Sequence, residues 1–141
     1  MSRRLILLVV AVLLGGCNLT QAEPTIVPTP DLPEVQILFP ENNAQVVENY
    51  DLVIDVFAQD ATSGIARIEV LLDGESLLTA APDSEQPVLP QFRVETNWIT
   101  AGVGRHVISA TAYRLDGTAS NEVAVIVEVV PRAETTQEAG S

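Results

Sequence analysis

The middle of this sequence predicts an all-β fold, an antiparallel two-sheet sandwich of about seven strands. Three observations carry that prediction. Apolar residues recur at every second position in one segment after another, no segment sustains a helical period, and turn residues interrupt the runs at short intervals. A period of two places each apolar set on one face of a strand.

The elements follow in order. Val35, Ile37 and Phe39 alternate until Pro40 ends the run. Leu52, Ile54, Val56 and Ala58 alternate next, before the turn Gln59-Asp60-Ala61-Thr62-Ser63-Gly64. Ile68, Val70 and Leu72 alternate against Arg67 and Glu69, and Asp73-Gly74 follows. An Asp-Gly pair between apolar runs is a strong hairpin signal, so Glu75 to Ala80 reads as the return strand. Phe92, Val94, Thr96 and Trp98 alternate against Gln91, Arg93, Glu95 and Asn97. Ile108, Ala110 and Ala112 alternate against Ser109, Thr111 and Tyr113, and Val123, Val125, Val127 and Val129 close the set. Trp98 and Phe92 are the expected bulky fillers of the core, with Ala110 and Ala112 leaving room for them. The chain has one cysteine, so no intrachain disulfide is possible and packing must hold the fold.

On either side of residues 34–130 the composition changes. Met1-Ser2-Arg3-Arg4 precedes an apolar run from Leu5 to Leu14. Ten helical residues rise ~15 Å, too little for a hydrocarbon core of ~30 Å. A basic start, a short apolar core and small residues after it make a secretory signal peptide over residues 1–16. Residues 17–33 hold Cys17 and a stretch with Pro24, Pro28, Pro30 and Pro33, spaced by threonines. Such a segment favours extended backbone, and at ~3.1 Å per residue it would hold a domain up to roughly 50 Å from its anchor. Residues 131–141 are polar and read as a disordered tail.

Leu14-Gly15-Gly16-Cys17 resembles the lipobox of bacterial lipoprotein signal peptides. The resemblance implies cleavage before Cys17, a diacylglycerol thioether on its sulfur and acylation of the new N-terminus. Small residues before the cut let the backbone enter a peptidase site, and a thiol can accept the lipid. Two or three acyl chains hold a protein firmly to a bilayer where one does not.

A second resemblance spans residues 34–130. Ser63-Gly64-Ile65-Ala66-Arg67-Ile68-Glu69-Val70, with Asp73-Gly74, is similar to the "SGI-x-x-V-x-x-x-x-DG" run of bacterial Ig-like domains. Trp98, Gly104-Arg105-His106-Val107-Ile108-Ser109-Ala110-Thr111-Ala112-Tyr113 and Asp116-Gly117 resemble that family's closing strands. Arg114 departs from the pattern, standing where aspartate is common. The resemblance implies an Ig-like sandwich and a spacer, adhesive or accessory role.

The formal net charge is −12. Without Arg3 and Arg4 the mature chain would hold five basic against 19 acidic residues. So acidic a surface repels nucleic acid and anionic headgroups.

Candidate sites are few. Asp60 and Asp116 fall in two loops that share one end of an Ig-type sandwich, where calcium would want six to eight oxygens. No Asp-x-Asp-x-Asp spacing accompanies them, and Asp, Ser and Gly are also what turns require, as at Asp73, Asp83 and Glu85. Any metal reading therefore rests weakly on Asp60 and Asp116. His106 is the only imidazole, and Ser109 falls on the opposite strand face, so no nucleophile–base pair forms there. His106 is expected at a strand's rim. Tyr50, Tyr113 and Trp98 are the rings available for a sugar platform; Trp98 falls on the core set, leaving Tyr113 as the outward binding candidate. Leu71 and Ile126 also face outward, either as a partner surface or beneath a neighbouring loop. The expectation is a non-enzymatic lipoprotein that meets an extracytoplasmic protein or glycan through loops or a strand edge. No cofactor beyond the lipid is expected. A ligand-free envelope spacer and a calcium-responsive module are the alternatives.

Overall fold

The computed structural model describes residues 31–133. The predicted leader, Cys17, the proline-rich segment up to Pro30 and the tail from residue 134 lie outside the described residues. Among those described there are eight strands and no helix: β1 Glu34–Phe39, β2 Ala44–Val47, β3 Asp51–Gln59, β4 Arg67–Leu72, β5 Glu75–Ala80, β6 Gln91–Ile99, β7 Gly104–Tyr113 and β8 Val123–Val130. They form two sheets, β1-β3-β6 and β2-β8-β7-β4-β5.

The alternating sets meet between the sheets. Leu52, Ile54, Val56 and Ala58 of β3 are buried, as are Ile68 and Val70 of β4, Ile108, Ala110 and Ala112 of β7, and Val127 and Val129 of β8. The largest fully buried side chains are aliphatic. Trp98 belongs to the core cluster at 8% exposure, while Phe92 is only partly buried against it, so β-branched residues and leucine rather than aromatics fill the centre.

The turns obey their residues. Asp73 and Gly74 join β4 to β5 with φ of 52° and 84°, the two left-handed positions of a type I′ hairpin. Gly64 has φ 75°, and a Cβ there would stand 3.2 Å from the Leu89 carbonyl oxygen. That close approach lets Ile65 pair with Leu89 and tie the β5–β6 loop to the start of β4. The Ser-Gly-Ile signature thus has a steric reason.

Two features depart from the sequence pattern. Four-residue β2 is too short to show a period, and it pairs parallel to β8 where the remaining ladders are antiparallel. In β1 the register slips between Ile37 and Phe39, so Leu38 is extra and Phe39 turns outward opposite Asp55 at 46% exposure. A bulge reverses the face that strict alternation assigns. Thr100, fully buried, then ties the β2–β3 connection to the end of β6. Its hydroxyl donates to the Val47 carbonyl (2.7 Å) and accepts from the Tyr50 N–H (2.9 Å).

Candidate functional site

Strand directions sort the loops to two ends. The chain enters at Asp31, and the β3–β4, β5–β6 and β7–β8 loops lie at that end. The β4–β5 hairpin, the β2–β3 and β6–β7 connections and the exit after Val130 lie at the other. Each end is built around one cation.

At the entry end the cation is Arg114, the residue that departs from the family pattern. Its Nε donates to Asp60 Oδ2 at 2.6 Å and its Nη2 to Asp60 Oδ1 at 3.3 Å. Nη2 also lies 3.1 Å from Asp31 Oδ2. Asp60 Oδ1 accepts the Thr62 and Ser63 N–H groups as well. The Arg114 hydrogen bond, outweighing burial, holds the Asp60 carboxyl below the ordinary carboxylate range. Asp60 is 2% exposed at its side chain and Arg114 10%, so this is a buried ion pair with an outer carboxylate, Asp31, at 64%. Asp116 accepts the Thr118 N–H at 2.8 Å, an Asx turn that closes the β7–β8 loop. Of the two aspartates considered for calcium, Asp60 is occupied by the Arg114 guanidinium and Asp116 by its own turn. Among the described residues no group of three or more His, Cys, Asp or Glu side chains is arranged to hold a metal ion. An open cleft of about 500 Å³ lies beside the clamp, between Asp31, Glu34, Gln59 and Pro90.

At the opposite end the cation is His106. Nδ1 lies 2.7 Å from Asp73 Oδ2 and Nε2 2.6 Å from the Gly102 carbonyl oxygen. Both partners are acceptors, so the ring satisfies them only with both nitrogens protonated. Its ring centroid lies 5.1 Å from that of Trp98, with 60° between the planes. Asp73 also accepts the Val107 N–H at 2.8 Å. The imidazolium thereby ties the hairpin tip, the β6–β7 turn and the rim of the core together. The Asp73 bond raises the His106 pKa above its ordinary value, against the effect of burial. Burial acts to raise Asp73, but the Val107 and His106 hydrogen bonds outweigh it and leave that carboxyl low.

A pH dependence follows. The His106 contribution is complete below the unfolded-state value of about 6.5 and is lost as pH rises through the raised folded value. The Asp73 contribution is present above the unfolded carboxylate value of about 3.9 and is lost as pH falls through its lowered folded value. The melting midpoint of the natural chain should therefore fall on going from pH 6 to pH 9. In His106→Gln that segment of the profile should flatten, and a slope equal to the natural one would contradict the assignment.

The other candidates separate. Tyr113 carries Arg67 over its ring, with the guanidinium carbon 4.0 Å from the centroid, and its hydroxyl donates to Glu69 Oε2 at 2.9 Å. One ring face is therefore already covered. Trp98 and Tyr50 lie at the end opposite to Tyr113, so the three rings form no common platform. Ile126 is half-buried, and its N–H and C=O are bonded by Asn42 Oδ1 and the Asn43 N–H of the β1–β2 turn. Leu71 is half-buried opposite Ser109. An apolar groove of about 460 Å³, with Phe39, Val47 and Tyr50 exposed around it and Leu52 beneath, opens at the exit end.

Sequence reasoning missed both cation clamps and a third pair, Arg93 Nε to Asp55 Oδ1 at 2.8 Å on the outer face of the smaller sheet. Asp55 interrupts an apolar run and Arg93 alternates outward, which was a visible signal. Matching them needs the β3–β6 pairing, which skips two intervening strands.

The family model of the bacterial Ig domain matches residues 33–110. Among solved structures, the fibronectin(III)-like modules of Clostridium thermocellum CbhA share 29% identity at TM-score 0.57, over 71% of this chain and 100% of that one. The PKD domain of an M14-like peptidase from Thermoplasmatales archaeon SCGC AB-540-F20 is 13% identical at TM-score 0.52, over 72% and 94% of the two chains. The SrpA adhesin of Streptococcus sanguinis is 10% identical at TM-score 0.52, over 73% of this chain and 59% of that one. At these last two identities the likeness is one of fold. No curated protein matches the chain. The sandwich, its Ser-Gly-Ile turn and a family match over more than half the length agree: the chain belongs to the bacterial Ig domain family.

Proposed function

We propose that this protein is a lipid-anchored, extracytoplasmic lipoprotein whose single Ig-like domain is a non-enzymatic binding module for a protein or glycan outside the cytoplasm. The observation that carries the reading is Gly15-Gly16-Cys17 at the end of a short apolar leader, ahead of an Ig domain. Domains of this type generally serve as binding or accessory modules without catalysis of their own, and typically work outside the cell.

The polar chemistry favours presentation over reaction. Asp60, Arg114, His106 and Asp73 are engaged with one another or with main-chain groups. Each clamp stiffens an end of the sandwich, and neither leaves a base beside a nucleophile. The calcium-responsive alternative has less support, because the Asp60 carboxylate is already taken up by Arg114 and by the Thr62 and Ser63 N–H groups. Phe39 and Tyr50, at 46% and 49% exposure beside the apolar groove, are the surface we assign to a partner.

A peroxidase fused after Ser141 of the full chain tests the proposal by proximity labelling in a bacterial host. Labelled extracytoplasmic proteins are the expected result. Labels confined to cytoplasmic proteins would refute it.

A further inference from the structure

β6 is an outer strand of the smaller sheet. β3 pairs along one side of it, and among the described residues nothing pairs along the other. The ladder shows which groups are left open. The Asp60 N–H donates to the Pro90 carbonyl and the Thr100 N–H to the Tyr50 carbonyl, so even-numbered positions from Pro90 to Thr100 aim their main-chain groups at β3. By alternation Gln91, Arg93, Glu95 and Asn97 turn their N–H and C=O groups to the open edge. The strand runs nine residues without proline, and its pairing with β3 has no irregularity. A long regular edge is a template for another strand, and proteins commonly blunt such edges with proline, bulges or charge.

The charges here do not blunt self-pairing. Arg93 and Glu95 stand two positions apart with opposite sign, their side chains 57% and 63% exposed. An antiparallel strand meeting itself pairs about one residue. Centred on Arg93 it sets arginine against arginine, and centred on Glu95 it sets glutamate against glutamate, both unfavourable. Centred on Val94 it sets each Arg93 against the other copy's Glu95 and each Gln91 against the other copy's Asn97. That register also satisfies the ladder. The edge-facing odd positions become hydrogen-bonded pairs, and the two Val94 residues form a non-hydrogen-bonded pair on the axis. The remaining outer strands offer nothing comparable: β1 and β5 each carry one charged residue and β2 none.

We propose that β6 is a homotypic docking edge, to which a second copy of this chain adds its own β6 antiparallel about Val94. The contact is isologous and closed by a two-fold axis, and it joins two three-stranded sheets into one of six strands. Asp55 prepares it by holding Arg93 Nε and Nη2 in a two-pronged pair on the outer sheet face, with Arg93 Nη2 also 3.7 Å from its own Glu95, so the guanidinium is fixed where a second copy's Glu95 would meet it. The inference does not rest on the lipid tether.

The test is photo-crosslinking of the full chain in a producing cell, with membrane and soluble fractions both analysed. A benzoyl-phenylalanine replaces Asn97, and a second variant carries it in place of Thr79 on β5 as a control edge. The Asn97 probe should yield a covalent dimer whose attachment maps to within two residues of Gln91 in the second copy, and the Thr79 probe none. Adding Glu95→Arg, which sets arginine against arginine in the dimer, should remove the product without moving the melting midpoint. A folded chain that gives no dimer, an attachment mapped elsewhere, or a dimer that survives Glu95→Arg would overturn the proposal.

Discussion

Asp60→Ala is expected to lower the stability of the domain by about 3 kcal/mol. For a domain of this size that is a fall of roughly 12–24 °C in melting midpoint. The side chain removed is 2% exposed, and it accepts from Arg114 and from the Thr62 and Ser63 N–H groups. Its loss leaves a guanidinium nearly out of water with only the exposed Asp31 for a partner. Most of the penalty is that stranded charge rather than the strength of the pair. Replacing both partners, as Asp60→Leu with Arg114→Met, should therefore recover most of the loss. Asp31→Ala, at an exposed carboxylate, should cost far less. The sign with pH is also fixed. A carboxyl with a lowered folded pKa contributes fully above the ordinary carboxylate range, and the contribution fades as pH falls through the lowered value. Thermal melts of the full chain and the variants, at several pH values, measure all four effects, and an Asp60→Ala midpoint within two or three degrees of the natural one would contradict the clamp.

The second large effect concerns location. Cys17→Ser removes the thiol that would receive the lipid, and it should move the protein from the membrane pellet toward the soluble fraction of a producing bacterium. The apolar run left in the unprocessed chain, Leu5 to Leu14, would span only ~15 Å as a helix, too short to replace the anchor. Among the described residues no helix is long and apolar enough to cross a membrane. Two or three acyl chains should make the natural protein resist high salt and carbonate, whereas the variant should be released. A variant that stays as firmly bound as the natural protein would refute the tether.

Most of the fold was legible because a buried strand face writes itself into the chain as alternation. Ile54, Val56, Ile68, Val70, Ile108 and Val127 are buried where period two placed them, and Asp73-Gly74 makes the turn its residues demand. The failures share a cause. The bulge at Leu38 and the four-residue β2 are too short to carry a period, so alternation puts Phe39 inward and gives no sign of β2. The candidate sites were harder to read because each joins residues far apart in sequence. Loop position alone makes Asp60 a weak metal candidate beside its reading as a turn residue. Its cation is Arg114, 54 positions away, the residue noted only as a departure from the family. Asp73 is a turn residue and His106 stands at the rim, as their local sequence suggests. What local sequence cannot supply is the register that sets Leu72 beside Ile108 and so brings the two side chains together.

The central claim, a strand sandwich held to a bilayer through its N-terminus, is tested most directly by the intact mass of the protein extracted from bacterial membranes. The account predicts a chain that begins at Cys17 and carries the added mass of a diacylglycerol thioether and an N-acyl group. A chain that still begins at Met1, or one that begins at Cys17 with a free thiol, would contradict it.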